Sequence, residues 1–375
     1  MKKILIVAGD PSGDLIAARL VETLKKLQPS ISVTGIGGNH LEKVSDRFLE
    51  NIVKQHALGF AISIKKILYF RHVLNNIIKP EIDQNKPDIV IPVDFYGFNC
   101  RVAKMAKKGG IGVFYYVSPQ FWASRPWRAD QLRKVVDLFL CLFPFEMDFY
   151  NKKKLPARFV GHPILDSIPD IPTHATKPPK VETHIGLLPG SRPEEIKRHL
   201  PVMIKTCNIL FNDNPGIRLI LFTVPHVSRD LYNHILSQTN KSKIMIDMVQ
   251  DENYSWRAQL DIAITASGME TLENTFLGIP MVVMYKTNWI TYWIARLLIR
   301  IQYLAMPNLL AEKMIVPEFI QWRANPKLMA PILLQWLKNP AERQSVRAQL
   351  LSLRKSFGGA GASERAARVI LEEVA

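Results

Sequence analysis

Apolar residues in this chain gather into short unbroken runs, separated by longer stretches whose apolar positions recur every three or four residues. Unbroken runs suit strands buried on both faces of a parallel sheet, and the wider spacing suits the helices that cover them. In the first half the runs fall at Ile4 to Ala8, Ser32 to Gly35, Asp88 to Pro92, Gly112 to Val117, Leu138 to Leu142 and Arg158 to Val160. Pro163, Pro169, Pro172, Pro178 and Pro179 then punctuate a stretch with little periodicity, as a linker does. The alternation resumes with Thr183 to Leu188, Arg218 to Phe222, Lys243 to Met248, Asp261 to Thr265 and Pro280 to Tyr285. The pattern predicts an α/β chain with a Rossmann-like domain over 1–165, a Pro-rich linker over 166–182, a second such domain over 183–345 and a helical tail over 346–375. Ligands of such sheets bind beyond the carboxyl ends of the strands.

Two strings in the second half put small residues at the mouth of a helix directly after a strand. Leu188-Pro189-Gly190-Ser191-Arg192 precedes a helix beginning near Glu194, and Ser267-Gly268 opens a helix carrying Thr271 and Glu273. Helix N-termini present unpaired N–H groups and the positive end of the dipole, so two of them facing one crevice make a seat for a nucleotide diphosphate. The competing reading is a pair of ordinary strand-to-helix turns. Glu273 favours the ligand, because an acid this close to a bound phosphate is unfavourable unless something uses it, and a ribose diol would.

At 375 residues with 47% hydrophobic content, the chain is large enough for two cores. Cys100, Cys141 and Cys207 are odd in number and form no C-x-x-C or His pairing, which argues against a disulfide framework and a structural zinc and fits a reducing cytoplasm. The apolar run at the N-terminus ends in Gly9-Asp10-Pro11 rather than a cleavage site, so it predicts a first strand and not a signal peptide. The formal net charge of +16 calls for a partner. No zinc-finger spacing, helix-turn-helix cue or RNA-binding aromatic signature points to nucleic acid, whereas a membrane surface fits two stretches. Phe60 to Leu74 places apolar residues at helical spacing around Lys65, Lys66 and Arg71. Trp289 to Met306 is apolar enough to raise a transmembrane question, but Arg296 and Arg300 sit one turn apart within it, which is costly in hydrocarbon and natural at an interface. The expectation is a cytoplasmic protein peripheral on an anionic inner-membrane surface; a core-facing helix with a basic edge is the competing reading for both stretches.

Two α/β domains with diphosphate signals only in the second describe the GT-B architecture, and ordered motifs along nearly the whole chain resemble the lipid-A-disaccharide synthase family, glycosyltransferase family 19. They are Gly9 to Asp14, Val117-Ser118-Pro119 with Trp122, Pro144-Phe145-Glu146, Phe159 to Pro163, Leu188 to Arg192, Ser267 to Glu273, Pro307-Asn308, and Val316-Pro317-Glu318 with Gln321. The resemblance implies an inverting transfer that condenses UDP-2,3-diacylglucosamine with 2,3-diacylglucosamine 1-phosphate into a β-1,6-linked disaccharide 1-phosphate and UDP, with no cofactor and no metal. Asp94, projecting from the end of the run Asp88 to Val93, matches the family's proposed catalytic aspartate and is the expected base; capping the next helix is its alternative. Gly190, Ser191, Arg192, Thr271, the Ser267-Gly268 amides and the dipole behind them would hold the leaving UDP, Glu273 the ribose, and Asn308, Glu318 and Gln321 would line the donor pocket. On the acceptor side stand Ser12, Asp14, Trp122, Arg125 and His162. For Asp14 a sugar contact or a capping role is expected, and for His162 a sugar contact or a hinge hydrogen bond. Trp122, Arg125, Trp127 and Arg128 interleave aromatic and basic groups, suited to a lipid phosphate or to core packing.

Some positions depart from the family pattern. Asp10-Pro11 replaces a Glu and its neighbour, Gly97 stands where a second aspartate is usual, Ile62 follows Leu58-Gly59 in place of a Glu, and Met269-Glu270 alters the second phosphate turn. Three of the four fall in the acceptor half, which keeps two alternatives open: a related UDP-sugar transferase or epimerase with another acceptor, and a non-catalytic paralogue that binds UDP-sugar or lipid. The tail from Gly361 carries an apolar stripe behind Ser363 as an expected helix cap, and would pack back on the first domain or exchange in a homodimer.

Overall fold

The computed structural model describes residues 2–56, 64–124, 126–169, 182–251, 253–298 and 301–374. Ala57 to Ile62, Arg125, Arg300 and most of the expected linker lie outside them. The chain divides into two compact units, Met1–Asp166 with Gly359–Ala375, and Ser167–Gly358.

The first unit is a parallel sheet of β1 (Lys3–Ala8), β2 (Ser32–Gly37), β3 (Arg47–Asn51), β4 (Ile89–Val93), β5 (Gly112–Tyr116), β6 (Leu138–Cys141) and β7 (Ala157–Phe159). Their order is β3-β2-β1-β4-β5-β6-β7. Its helices are α1 (Pro11–Leu27), α2 (Asn39–Val44), α3 (Ile64–Val73), α4 (Tyr96–Lys108), α5 (Trp127–Leu132) and α6 (Pro144–Lys152). The central strands β1, β4, β5 and β6 are buried on both faces, which is why their runs read as continuous. β1 pairs with β2 on one side and with β4 on the other, Ala8 standing opposite Val93. This reversal of strand order opens a crevice at their carboxyl ends. β3 was not predicted: it is an edge strand of half-exposed, mostly polar residues with no apolar run.

The second unit repeats the plan with β8 (Thr183–Leu188), β9 (Ile217–Phe222), β10 (Ile246–Val249), β11 (Ile262–Ala266), β12 (Met281–Tyr285) and β13 (Glu318–Ile320), in the order β10-β9-β8-β11-β12-β13. Its helices are α7 (Pro193–Asp213), α8 (Arg229–Thr239), α9 (Met269–Phe276), α10 (Trp289–Leu298), α11 (Met306–Ala311), α12 (Pro326–Lys338) and α13 (Pro340–Lys355). The switch point falls between β8 and β11, where Leu188 stands opposite Thr265. β13, three residues long, was too short to read from sequence.

The tail does not separate at 346. α13 belongs to the second unit, with Leu350 and Leu351 buried and Arg347 donating to the carbonyls of Leu277 (3.2 Å) and Gly278 (2.8 Å). The chain returns to the first unit with α14 (Ala362–Val374), whose Ala362, Ala366, Ala367 and Ile370 are buried and which packs along α1. Ser363 lies inside its first turn rather than capping it. The cap is the distant Asp166 carboxylate, which accepts from the amides of Gly361 (2.7 Å), Ala362 (3.0 Å) and Ser363 (3.1 Å) and from the Ser363 hydroxyl (2.8 Å).

Candidate active site

In the first unit, β4 delivers Asp94 to the switch point. Asp94 and Phe95 both have φ of 46°, and Val117, at the end of the neighbouring β5, has φ of 57°. Left-handed backbone at non-glycine residues costs about 1–3 kcal/mol each and persists only where the surroundings hold it. Here the Asp94 amide donates to the Tyr116 carbonyl (3.1 Å), while the Asp94 carbonyl accepts from the Tyr115 hydroxyl (2.7 Å) and Asn99 Nδ2 (2.9 Å). Gly9 is required beside them, because a Cβ there would lie 2.0 Å from Phe95 Cδ1. Phe95, not Asp94, occupies the N-cap position of α4, and no side chain caps that helix. The Asp94 carboxyl is pushed up to about 6, chiefly by burial and then by the negative charge of Asp10, with the Phe95 amide opposing. A half-buried carboxylate of this strength is ionised at neutral pH and still basic enough to take a proton.

The other acceptor-side candidates divide. Asp10 accepts from the Gly13 amide (2.7 Å) and the exposed Ser12 hydroxyl (2.7 Å), capping α1. Asp14 is buried, and its carboxylate accepts from the amides of Gly38 (2.6 Å), His40 (3.0 Å) and Leu41 (3.2 Å), so it caps α2. Trp122 is half-buried and donates through Nε1 to Glu146 (3.1 Å), while Trp127 is exposed and Arg128 lies 5.2 Å over the Tyr96 ring, so the two tryptophans do not form a core pair.

Sequence reasoning gave Glu146 no role. It is buried at the start of α6 and also accepts from the Ser118 hydroxyl (2.9 Å) and the amides of Leu142 (2.9 Å) and Phe143 (3.0 Å), joining Val117-Ser118-Pro119, Trp122 and Pro144-Phe145-Glu146 in one network. Burial pushes its carboxyl up to about 7 against those donors. Its position three residues after Phe143, at a strand-to-helix step, was the available signal.

His162 is buried, its ring 5.6 Å from that of Phe143, and Nδ1 accepts from the Ile164 amide (3.2 Å), leaving the proton of the neutral ring on Nε2. Desolvation lowers its pKa from 6.5 to about 3, against a smaller opposing pull from Asp166. Protonation is therefore favoured in the unfolded chain, and this group withdraws stability as pH falls below 6.5 toward 3. His162→Gln is expected to melt progressively higher relative to the parent as pH drops from about 7 to about 4. Melting curves that shift in parallel over that range would refute a buried neutral His162.

In the second unit, both phosphate-type turns stand at the carboxyl ends of the adjacent strands β8 and β11. Gly190 has φ of +106°, and a Cβ there would lie 2.8 Å from Glu195 Oε2, so only glycine fits the first turn. Arg192, exposed at the N-cap position of α7, pairs with Glu195 (2.6 Å). Ser191 accepts through its carbonyl from the exposed His226 Nε2 (2.7 Å). His199, which sequence reasoning missed, is buried under this turn: Nδ1 donates to the Pro189 carbonyl (2.8 Å) and Nε2 accepts from the Lys286 amide (2.9 Å), tying the turn to the end of β12. Burial keeps this imidazole below its usual pKa.

At the second turn, the Ser267 amide is committed to the sheet through the Met284 carbonyl (3.2 Å) and its hydroxyl donates to the Leu304 carbonyl (3.2 Å), which corrects the expectation that this amide faces a ligand. Gly268 borders open space, with nothing within 4 Å of a Cβ position, and the first-turn amides of α9 follow it. Thr271 is buried and donates to the Gly268 carbonyl (2.7 Å), closing the first turn of α9. Glu273 pairs with the buried Arg257 and accepts from the Tyr254 hydroxyl (3.1 Å), while Arg257 lies 5.2 Å over the Phe222 ring. A carboxylate has about four acceptor sites, so Glu273 retains capacity for a diol. Glu270 is pushed up to about 8 by burial, with the charges of Glu273 and Glu195 adding to the effect and Arg257 opposing it.

Asn308, Glu318 and Gln321 are engaged with the protein itself. Asn308 Nδ2 donates to the Val316 carbonyl (2.7 Å) and to Glu318 (2.8 Å), and its Oδ1 accepts from the amides of Ile315 (2.7 Å) and Val316 (2.9 Å). Glu318 accepts from the amides of Leu304 (2.9 Å) and Ala305 (3.0 Å). Gln321 accepts from the Thr287 amide (2.9 Å) and donates to its carbonyl (3.1 Å). Through Leu304 the first two brace the segment that receives the Ser267 hydroxyl.

A sequence model described as lipid-A-disaccharide synthetase matches residues 4–370. The chain belongs to the lipid-A-disaccharide synthase family. Lipid-A-disaccharide synthase 1 of Legionella pneumophila strain Philadelphia 1 is 34% identical over 96% of this chain and 94% of its own length, and the lipid-A-disaccharide synthase of Geobacter metallireducens is 33% identical over 99% and 97%. Among solved structures, the fold is shared with a putative UDP-N-acetylglucosamine 2-epimerase from Listeria monocytogenes (TM-score 0.67, 13% identity, 100% of this chain and 96% of that one). It is likewise shared with Acinetobacter baumannii MurG (TM-score 0.61, 16% identity, 99% and 100%). The two Rossmann-like units thus have the GT-B plan, and as a lipid-A-disaccharide synthase the protein is a glycosyltransferase of lipid A biosynthesis; the epimerase and paralogue alternatives are not favoured. Among the described residues no helix is long and apolar enough to cross a membrane.

Proposed function

We propose that the protein transfers 2,3-diacylglucosamine from UDP to the 6-hydroxyl of 2,3-diacylglucosamine 1-phosphate, with Asp94 as the base. The single observation carrying this reading is a carboxyl raised to about 6 at the switch point of the first sheet, held there by strained backbone. Asp94 takes the hydroxyl proton as that oxygen bonds to the anomeric carbon. The bond from that carbon to the diphosphate breaks on the opposite face, and UDP leaves with its electron pair. Arg192, the amides from Gly268 onward and the dipole of α9 meet the charge on UDP; Arg192 must exchange Glu195 for phosphate to do so. Glu273 holds the ribose, and Asn308, Glu318 and Gln321 act as braces of the donor pocket. No metal is required by this assignment. Ser12, Trp122 and the Nε2–H of His162 remain the acceptor-side contacts, and Asp14 acts through α2.

The enzyme works peripherally on the cytoplasmic face of an anionic inner membrane, where its lipid substrates reside. An exchanged homodimer would release α14 from the α1 and Asp166 of its own chain and seat it on those of a partner. The test is UDP release by the purified protein in detergent micelles, given the donor with and without the acceptor. Acceptor-dependent release with a disaccharide product is the expected result; donor binding without acceptor-dependent release would reject it.

A further inference from the structure

The second unit carries an apolar surface that its own core does not use. On α10, Trp289 is 55% exposed, Ile290 76%, Trp293 58% and Leu297 82%, and Trp322, just past β13, is 60% exposed. The Trp289 and Trp322 rings stack at 6.2 Å and 11°, with Tyr292 edge-on to both. Gln321 sets this pairing: its left-handed backbone (φ 55°) and its two hydrogen bonds to Thr287 fasten the residue before Trp322 to the segment leading into α10.

Charge and length select the occupant. From Lys286 to Ile301 the sequence has three basic residues and no Asp or Glu; Arg296, on α10, and Arg323, next to Trp322 in the chain, are exposed. Tryptophan and tyrosine with arginine at the edge of an apolar face are the composition of a headgroup interface. α10 has ten residues, about 15 Å, half of what a bilayer core requires, so it suits lying in an interface and not spanning it. Position completes the argument. α10 and Trp322 follow the carboxyl ends of β12 and β13, and the Ser267-Gly268 turn follows that of the adjacent β11, so all three lie on one rim of one parallel sheet.

We propose that the Trp289, Ile290, Trp293 and Leu297 face of α10, with Trp322 stacked on it, inserts into the interface of an anionic bilayer and so sets the candidate diphosphate seat of the second unit against the lipid surface. This deepens the membrane reading given above and rests on it.

The test is sedimentation of the full chain with vesicles of phosphatidylcholine plus phosphatidylglycerol, or of phosphatidylcholine alone. The parent is expected to bind the anionic vesicles preferentially, and Ile290→Ser/Trp293→Ser/Leu297→Ser to bind them about tenfold more weakly or worse, with an unchanged melting temperature because these side chains are exposed. Undiminished binding by the triple variant overturns the proposal, as does loss of binding only in the α3 variant Ile67→Ser/Leu68→Ser. A concentration-dependent dimer that the triple substitution dissolves, without change in vesicle binding, would assign the face to a second copy and also overturn it. UDP affinity in lipid-free buffer is measured in parallel: a parent that binds vesicles through this face but not UDP keeps the lipid surface and sinks the transferase reading.

Discussion

Asp94→Ala is expected to lower the kcat of acceptor-dependent UDP release by about 10²–10⁴-fold while UDP affinity stays at the parent value. The split follows from placement: Asp94 belongs to the first unit, and the candidate diphosphate turns belong to the second. Asp94→Asn loses as much, since the amide keeps the shape and cannot take a proton. The pH profile carries the sign. A base must be ionised, and the carboxyl titrates near 6, so kcat/KM rises with pH through about 6 and then levels. Asp10→Asn removes a negative charge that holds this carboxyl up, and is expected to move the midpoint to lower pH. Near-parental turnover in Asp94→Ala, or an Asp10→Asn midpoint that moves upward, would take Asp94 out of the reaction.

Glu273→Ala is expected to cost about 3–5 kcal/mol of stability and most of the UDP affinity. The stability loss comes from Arg257, only 8% exposed, whose guanidinium would lose its carboxylate partner within the protein. The two effects separate in Arg257→Met/Glu273→Leu, which removes both charges of the pair together. The denaturation midpoint should recover most of its value in this double variant, and UDP binding should not. A double variant that binds UDP as the parent does would show that Glu273 serves Arg257 and not a ribose.

What was legible in the sequence was whatever rests on contiguous residues. The turns after β8 and β11 were visible because a buried strand must be an apolar run and a close backbone approach must be glycine, as at Gly190. Asp94 was visible as the first acid beyond such a run. Glu146 and His199 were hidden because their roles depend on groups brought near by folding, the Ser118 hydroxyl and Trp122 indole for Glu146, and the Pro189 carbonyl and Lys286 amide for His199. The reverse holds for Asn308, Glu318 and Gln321: the family resemblance implied a place in the donor pocket, yet their polar atoms meet backbone of this chain, which no local pattern announces. The break before α14 was misplaced for a similar reason. Helical periodicity runs through α13 into the tail, whereas the contacts of Arg347 and Arg354 hold α13 to the second unit and the Asp166 cap holds α14 to the first.

The first unit is discontinuous in the sequence, since Asp166 and the Gly361 amide at the mouth of α14 are 195 positions apart. During synthesis, β1 through β7 leave the ribosome with the α1 face bare, and it stays bare until the entire second unit has been translated. The amino-terminal half therefore completes its packing only at the end of synthesis, in contrast to the usual order in which the first nascent domain matures first. A message truncated anywhere before codon 359 leaves the first core uncovered, and quality-control proteases would meet an exposed apolar groove along α1.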